Sequence, residues 1–345
     1  MRRSFLRWLG VAAVATATLA GCRRAAAPPE GVPHTDSRPT EHTLTVAFWN
    51  LEWFPGRRPN ARDGARAAHV AAVLPVVARL APDVLGLEEV ADHDAAATVA
   101  AGLPGFKVDV CSEFLRGPET RPRRRSSPAR DAAPSPVAPA EAPPPEDGTA
   151  LTLPDRQQVA LCSRLPLLAA GAQPWQPDAS GRRQRRGFVW AAYRAAPGEV
   201  VLVYGLHLKS NVVDEPGGQP ANVLRREEAS RQLLVHAQAA AARWTAPERL
   251  RLLVVGGDMN TSLDDPAFAA ERTLRGWLDA GFRWGWEGVP LPRRLTLPAK
   301  GRYPATCFDH VFYRAGGDLA PPAASLGDSG FDASDHRPIL ARFSW

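Results

Sequence analysis

The run Arg251 to Asn260, RLLVVGGDMN, is apolar until it ends in Asp258 and Asn260. Further on, SDHRP sets Asp335 and His336 just ahead of a second apolar run, Ile339 to Phe343. Polar groups at the mouths of buried strands are where open sheets build their sites. Asp258 and Asn260, two apart in extended chain, point to one side. The carboxylate can activate a water or hold a metal, and the amide can fix that water's orientation. Gly256 and Gly257 read as a sharp backbone turn just before them. Asp309 and His310 open another apolar run in FDHVFY. An Asp within reach of a His fixes its tautomer and raises its pKa, and His336 with Asp309 is the preferred pair. His310 is read as a core or surface histidine outside the chemistry.

GLHLKSN places His207, Lys209 and Asn211 on one face, directly after the apolar run Val200 to Leu206. Imidazole, ammonium and amide together make a clamp for the non-bridging oxygens of a phosphate; the alternative is a strand-end surface cluster. Asn50 follows the first apolar run in AFWN, and Glu88 and Glu89 close DVLGLEEV. Adjacent carboxylates need a cation or a partner if buried, and only one of the two can face the strand mouth. Asn, Glu and Asp oxygens are hard donors that suit Mg²⁺ or Mn²⁺, with water in the remaining positions. This is the chemistry of a metal-assisted attack by water on a phosphate ester.

The elements that must carry these groups are strands with a few spaced helices. Strands are predicted over Thr43–Phe48, Asp83–Leu87, Phe106–Cys111, Gln157–Cys162, Gly187–Tyr193, Val200–Leu206, Leu252–Val255, Phe308–Phe312 and Ile339–Phe343. Asp63 is placed to cap a helix whose apolar positions Val70, Val73, Leu74, Val77 and Leu80 recur at three and four. A second helix spans Asn222–Ala241, with Leu224, Leu233, Leu234 and Ala237 toward the core. Several strands follow one another directly, so antiparallel pairs should dominate. Two sheets packed face to face with helices outside accommodate that order.

The ordered set WN, LEEV, SE, HLKSN, GDMN, DHV and SDHRP, from about Thr45 to Phe343, resembles the endonuclease/exonuclease/phosphatase superfamily. The resemblance implies a four-layered α/β sandwich of two mixed, mostly antiparallel sheets. It also implies a divalent-metal-dependent phosphoric ester hydrolase. Glu89, Asn50 and Asp335 would hold the metal, with Glu88 standing where the family commonly has Gln. Asp258, with Asn260 beside it, would orient or deprotonate the water. His336, set by Asp309, would stabilise the transition state, and His207 would be a second phosphate-facing His oriented by Glu113. Arg186, in RRGFVW, matches a position where an Arg reaches the phosphate.

The 345-residue chain opens with Arg2, Arg3 and Arg7, an apolar run Trp8–Ala20 and then Leu19-Ala20-Gly21-Cys22. This reads as a lipoprotein signal over 1–21, with lipidation at Cys22 and an exported, membrane-anchored product on the periplasmic or cell-surface side. The apolar run is short for a span of ~20 residues. Residues 22–42 read as a flexible tether, and 43–345 as one catalytic domain interrupted by a disordered insertion at about 114–150, rich in Arg and Pro. The formal charge is +6, of which the leading three arginines supply half, too little to argue nucleic-acid binding from charge alone. Cys111 and Cys162 are read either as a cross-strand disulfide or as buried thiols. The substrate is a phosphate ester, nucleic acid or a phospholipid or sphingomyelin head group, acted on by a monomer held at the membrane by its N-terminal lipid. Trp284, Trp286, Val289 and Leu291 are membrane-dipping candidates or core anchors. A catalytically inactive surface binding protein is the reading from another class.

Overall fold

The computed structural model describes residues 42–115, 155–177, 184–212, 218–244, 247–299, 304–317, 319, 321–329 and 331–345. The signal segment, Cys22, nearly all of the tether and most of the insertion lie outside these residues.

Side-chain alternation along each strand sends one set of residues between the sheets and the other toward helices. In β1 (Thr43–Phe54), Val46 and Phe48 face the opposing sheet, while Ala47 and Trp49 face α1 (Asp63–Leu80) and α2 (His93–Ala100). The first sheet also holds β2 (Val84–Val90), β3 (Lys107–Cys111), β4 (Gln158–Ser163), β11 (Ala323–Leu326) and β12 (Ile339–Ser344), in the order β11-β12-β1-β2-β4-β3. The second sheet holds β5 (Leu167–Pro174), β6 (Gly187–Ala196), β7 (Glu199–His207), β8 (Arg249–Asp258), β9 (Arg283–Trp284) and β10 (Asp309–Ala315), in the order β5-β6-β7-β8-β10-β9. Its outer face packs on α3 (Gly218–Ala241) and α4 (Arg275–Asp279) through Leu202, Val255, Leu233, Ala237 and Trp277. The result is the expected four layers, helices–sheet–sheet–helices.

Among the described residues only β1 with β2 and β7 with β8 run parallel; the other strand pairs are antiparallel. The C-terminal ends of the two parallel pairs lie at the same end of the molecule as the N-terminal end of β10, because Asp309 is in register with Asp258. Phe48 sets the spacing there. A Cβ on Gly86 of one sheet or on Gly256 of the other would lie 2.4 or 2.3 Å from its ring. Gly256 and Gly257 therefore do not end the strand as the sequence suggested: β8 runs through both to Asp258. Gly257 has φ +134, and a Cβ there would strike the Leu206 carbonyl at 2.1 Å.

Other expectations need correcting. Arg62, not Asp63, is the residue before α1, and no side chain caps it; Asp63 is the helix's first residue, where a carboxylate favours the dipole. Leu224 is 65% exposed, so α3 turns Leu233 and Ala237 inward without it. Strands β5, β9 and β11 escaped detection because they are edge or two-residue strands. Cys111, Cys162 and Cys307 are free thiols. Cys162 is in register with Val108 and Cys111 with Ala160, so the two face no common partner. Phe114 does not belong to the insertion: it is buried, accepts the Asp155 N–H at 2.8 Å and bonds the Gln158 side chain through its own N–H at 2.9 Å.

Candidate active site

Seven segments deliver side chains to one end of the two sheets, and the backbone bends to aim them. Register shifts in β1 after Asn50 and in β2 after Glu88. Such bulges re-aim a side chain at a strand end. Glu52, Trp53, Glu89, Arg186 and Asn260 all have left-handed backbones, with φ between 46 and 68. Non-glycine residues in that region cost energy and persist only where neighbours impose them, which is common at functional sites.

In the second sheet His207, Asp258 and Asp309 stand side by side across β7, β8 and β10. Asp258 is the hub. Its Oδ1 accepts the Asn260 N–H at 2.9 Å. Its Oδ2 accepts from Asn50 Nδ2 at 3.2 Å and lies 3.4 Å from His207 Nε2 and 3.8 Å from His336 Nε2. His336 Nδ1 meets Asp309 Oδ2 at 2.9 Å, the predicted pair. Ser334 locks this loop, donating to the Asn50 carbonyl at 2.7 Å and accepting the His336 N–H at 3.0 Å. Trp49 Nε1 donates to the His336 carbonyl at 2.9 Å.

Burial dominates the electrostatics. It pushes Asp258 up to about 7, with His336 working against the rise and Asp309 adding to it. Burial opposes charge on His336 too, but Asp309 and Asp258 together outweigh it and hold the imidazolium well above its usual range. His207 is held well below the usual range by burial, then by Arg186, His336 and Lys209, so its ring is neutral. Its Nδ1 is buried without a hydrogen bond, 3.8 Å from Glu89 Oε1.

The two glutamates divide as predicted. Glu89 faces a cleft of about 400 Å³ lined by Asn50, Glu52, Trp53, Arg57, Arg58, Pro59, Asp258, Asp335 and His336. Its Oε2 accepts the Trp53 N–H at 3.1 Å. Glu88 turns inward: Oε2 accepts the Asp258 N–H at 2.8 Å, and Oε1 is buried with no partner. Burial, then Asp309 and Asp258, raise its pKa well above the ordinary carboxylate value. A carboxyl raised in the folded state is neutral and without penalty at low pH, and costs stability as pH climbs past its unfolded value near 4.5. Glu88→Gln keeps an acceptor for Asp258 and removes that cost. Thermal melts in EDTA should show the variant gaining on the native protein as pH rises from 4.5 to 7.5; a variant that loses ground over that range would show that the charge is stabilised.

Other assignments change. Glu113 is exposed beyond β3, and the carboxylate nearest His207 Nδ1 is that of Glu89. Asn50 turns its Oδ1 to the Glu52 N–H at 3.0 Å and its Nδ2 to Glu89 and Asp258, so its amide spaces two carboxylates. Asn211 donates to the Asn260 carbonyl at 2.8 Å and accepts from Arg226 at 3.1 Å, a brace rather than a phosphate contact. Arg186 bonds the Gln157 side chain, and with Lys209 sits close enough to depress His207. His310 is fully buried between Thr261 and Trp284, as read from the sequence. Trp286 is buried and Trp284, Val289 and Leu291 pack against the core, so all four are anchors. Glu52 was missed. It accepts the Asp335 N–H at 3.2 Å and pairs with Arg57, and its position two residues beyond Asn50 was the available signal.

Among the described residues no three His, Cys, Asp or Glu side chains form a closed metal cage. Glu89 and Asp335 nevertheless line one cleft beside an excess of buried carboxylate, including the unpartnered Glu88 Oε1. That donor set fits a Mg²⁺-like ion, which keeps most of its waters and takes one or two carboxylates.

A carboxylate near neutrality, an imidazolium held by an Asp, and hard oxygens on one wall define a hydrolase of phosphoric esters built on paired sheets. The profile of the Endonuclease/Exonuclease/phosphatase family matches residues 47–336. The chain belongs to that family, whose members are metal-dependent phosphoric ester hydrolases. Solved structures that share the fold include the following three. An endonuclease/exonuclease/phosphatase from Beutenbergia cavernae is 19% identical, with TM-score 0.56, 88% of this chain and 71% of that one covered. Its counterpart from Bacteroides vulgatus is 16% identical, with TM-score 0.53, 87% and 98% covered. TDP2 from D. rerio, solved with a single-strand DNA product, is 17% identical, with TM-score 0.51, 87% and 98% covered. A comparison with curated proteins gave no significant match.

Proposed function

We propose that the protein is an exported, lipid-anchored phosphodiesterase that hydrolyses nucleic-acid phosphodiesters with the help of Mg²⁺ or Mn²⁺. The observation that carries this reading is the convergence of His207, His336 and Asn50 on Asp258 Oδ2, in a cleft whose wall also holds Glu89 and Asp335. Asp258, poised near neutrality, takes a proton from the attacking water. His336, kept charged by Asp309, faces the oxygens on which negative charge grows as the ester P–O bond breaks. His207, neutral, offers a ring N–H to the same phosphate. Glu89 and Asp335 would hold the dication, which would supply Lewis-acid neutralisation of that charge.

Nucleic acid is favoured by the exposed Arg58 on the cleft wall and by the DNA product carried by the D. rerio relative. The phospholipid reading loses its membrane-dipping loop, because Trp286 is buried and Trp284 packs against the core. The anchor rests on Leu19-Ala20-Gly21-Cys22. The test is a panel of bis-p-nitrophenyl phosphate, plasmid and single-stranded DNA, RNA, sphingomyelin and inositol phosphates, assayed with Mg²⁺. DNA should be cleaved. Turnover of sphingomyelin alone would replace nucleic acid by a head group, and turnover of nothing would leave a binding protein. In fractionated cells Cys22→Ser should leave the membrane; its retention there would remove the lipid anchor.

A further inference from the structure

Arg226 is a fully buried cation far from any role in the chemistry above, yet it is the start of a hydrogen-bonded chain that ends on Asp258. It sits on α3, and its side chain has no solvent exposure. Nε and Nη2 donate to the two oxygens of Glu271 at 2.8 and 2.7 Å. Nη1 donates to the Lys209 carbonyl and to Asn211 Oδ1, both at 3.1 Å. Asn211 passes the link on, its Nδ2 donating to the Asn260 carbonyl at 2.8 Å. The Asn260 N–H then holds Asp258 Oδ1 at 2.9 Å, and the Asn260 side chain holds the Leu208 carbonyl at 3.2 Å.

We infer that the buried Arg226–Glu271 pair is a positioning device for the reaction, acting through Asn211 and Asn260 to keep Asp258 Oδ1 occupied so that Oδ2 faces the cleft. A buried ion pair is poor evidence for stability, since apolar residues of like size often serve as well. What apolar residues cannot supply is a donor to Lys209 and Asn211. Lys cannot supply it either, because it lacks the planar fork that serves a carboxylate and two further acceptors at once. Asn260 needs such a hold: its left-handed backbone, φ 52, has to be imposed by its neighbours. Asn211 transmits, so its loss should change turnover, not substrate affinity.

This inference rests on the reading of Asp258 as the group that activates water. The decisive variant is Asn211→Ala, which cuts the chain while leaving the ion pair in place. Its kcat on bis-p-nitrophenyl phosphate with Mg²⁺ should fall on the order of tenfold or more, the scale of a misplaced reacting group, with KM little changed. Without metal, in EDTA, amide hydrogen exchange over Asp258–Thr261 should quicken in the same variant. The double variant Arg226→Met, Glu271→Leu should reproduce both effects, and Arg226→Lys should give an intermediate kcat. A raised KM with native kcat would make Asn211 a substrate contact and overturn the inference. Native kcat together with native exchange would overturn it too. If Asp258→Asn kept native turnover, the reading of the site itself would fall, a result separate from either of these.

Discussion

Asp258→Asn should lose on the order of 10²-fold or more in kcat while remaining folded, the usual weight of a general base. The substitution is chosen for its shape. Asn offers the same oxygen to the Asn260 N–H and the same backbone N–H to Glu88, so those two hydrogen bonds survive, while the one from Asn50 Nδ2 to Oδ2 is lost. What goes is the capacity to take a proton. His336→Gln should cost a similar factor, because its amide can still donate toward Asp309 but carries no positive charge. The two groups meet the same phosphate, so the double variant should be little worse than the poorer single one. Steady-state kinetics beside a thermal melt is the measurement. A folded double variant with native turnover would move the chemistry elsewhere.

Removing the cation should be more severe still. EDTA should drop turnover by ~10³-fold or more, since a Lewis acid at the phosphoryl oxygens is worth several kcal/mol. Mg²⁺ or Mn²⁺ should restore it. Glu89→Gln and Asp335→Asn should each raise the metal concentration needed for half-maximal rate, because each removes one of the cleft's carboxylate oxygens. Titration of activity against Mg²⁺ reads both effects, and chelator-resistant turnover would take the metal out of the reaction.

Much of this was legible before any coordinates. Strands buried on both faces write themselves as apolar runs, so VLVYGLH and RLLVVGGD announced β7 and β8, and the polar residue after each run fell at the mouth. The pairing of His336 with Asp309 was legible because Asp309 opens an apolar strand, at a mouth where a carboxylate can set a histidine's tautomer. The sequence was silent where partners come from distant segments. Nothing near Asn211 indicates that Arg226 will enter from a helix to hold it, so its amide looked available for phosphate. Glu113 was assigned by likeness to a string and lies exposed, whereas the carboxylate facing His207 Nδ1, at 3.8 Å, is Glu89 of β2. Glu52 and the left-handed turn at Trp53 depend on strain that only the closed loop imposes. Gly256 was read as a turn former, when the constraint is a phenylalanine ring from the facing sheet.

The pairing of β1 with β12 joins the two ends of the domain, and Asn50 and the Asp335–His336 loop hang from those neighbouring strands. Until β12 pairs with β1, the Asp258 and Glu89 side of the cleft therefore stands without Asp335 and His336, and the cleft is complete only once that last strand has docked.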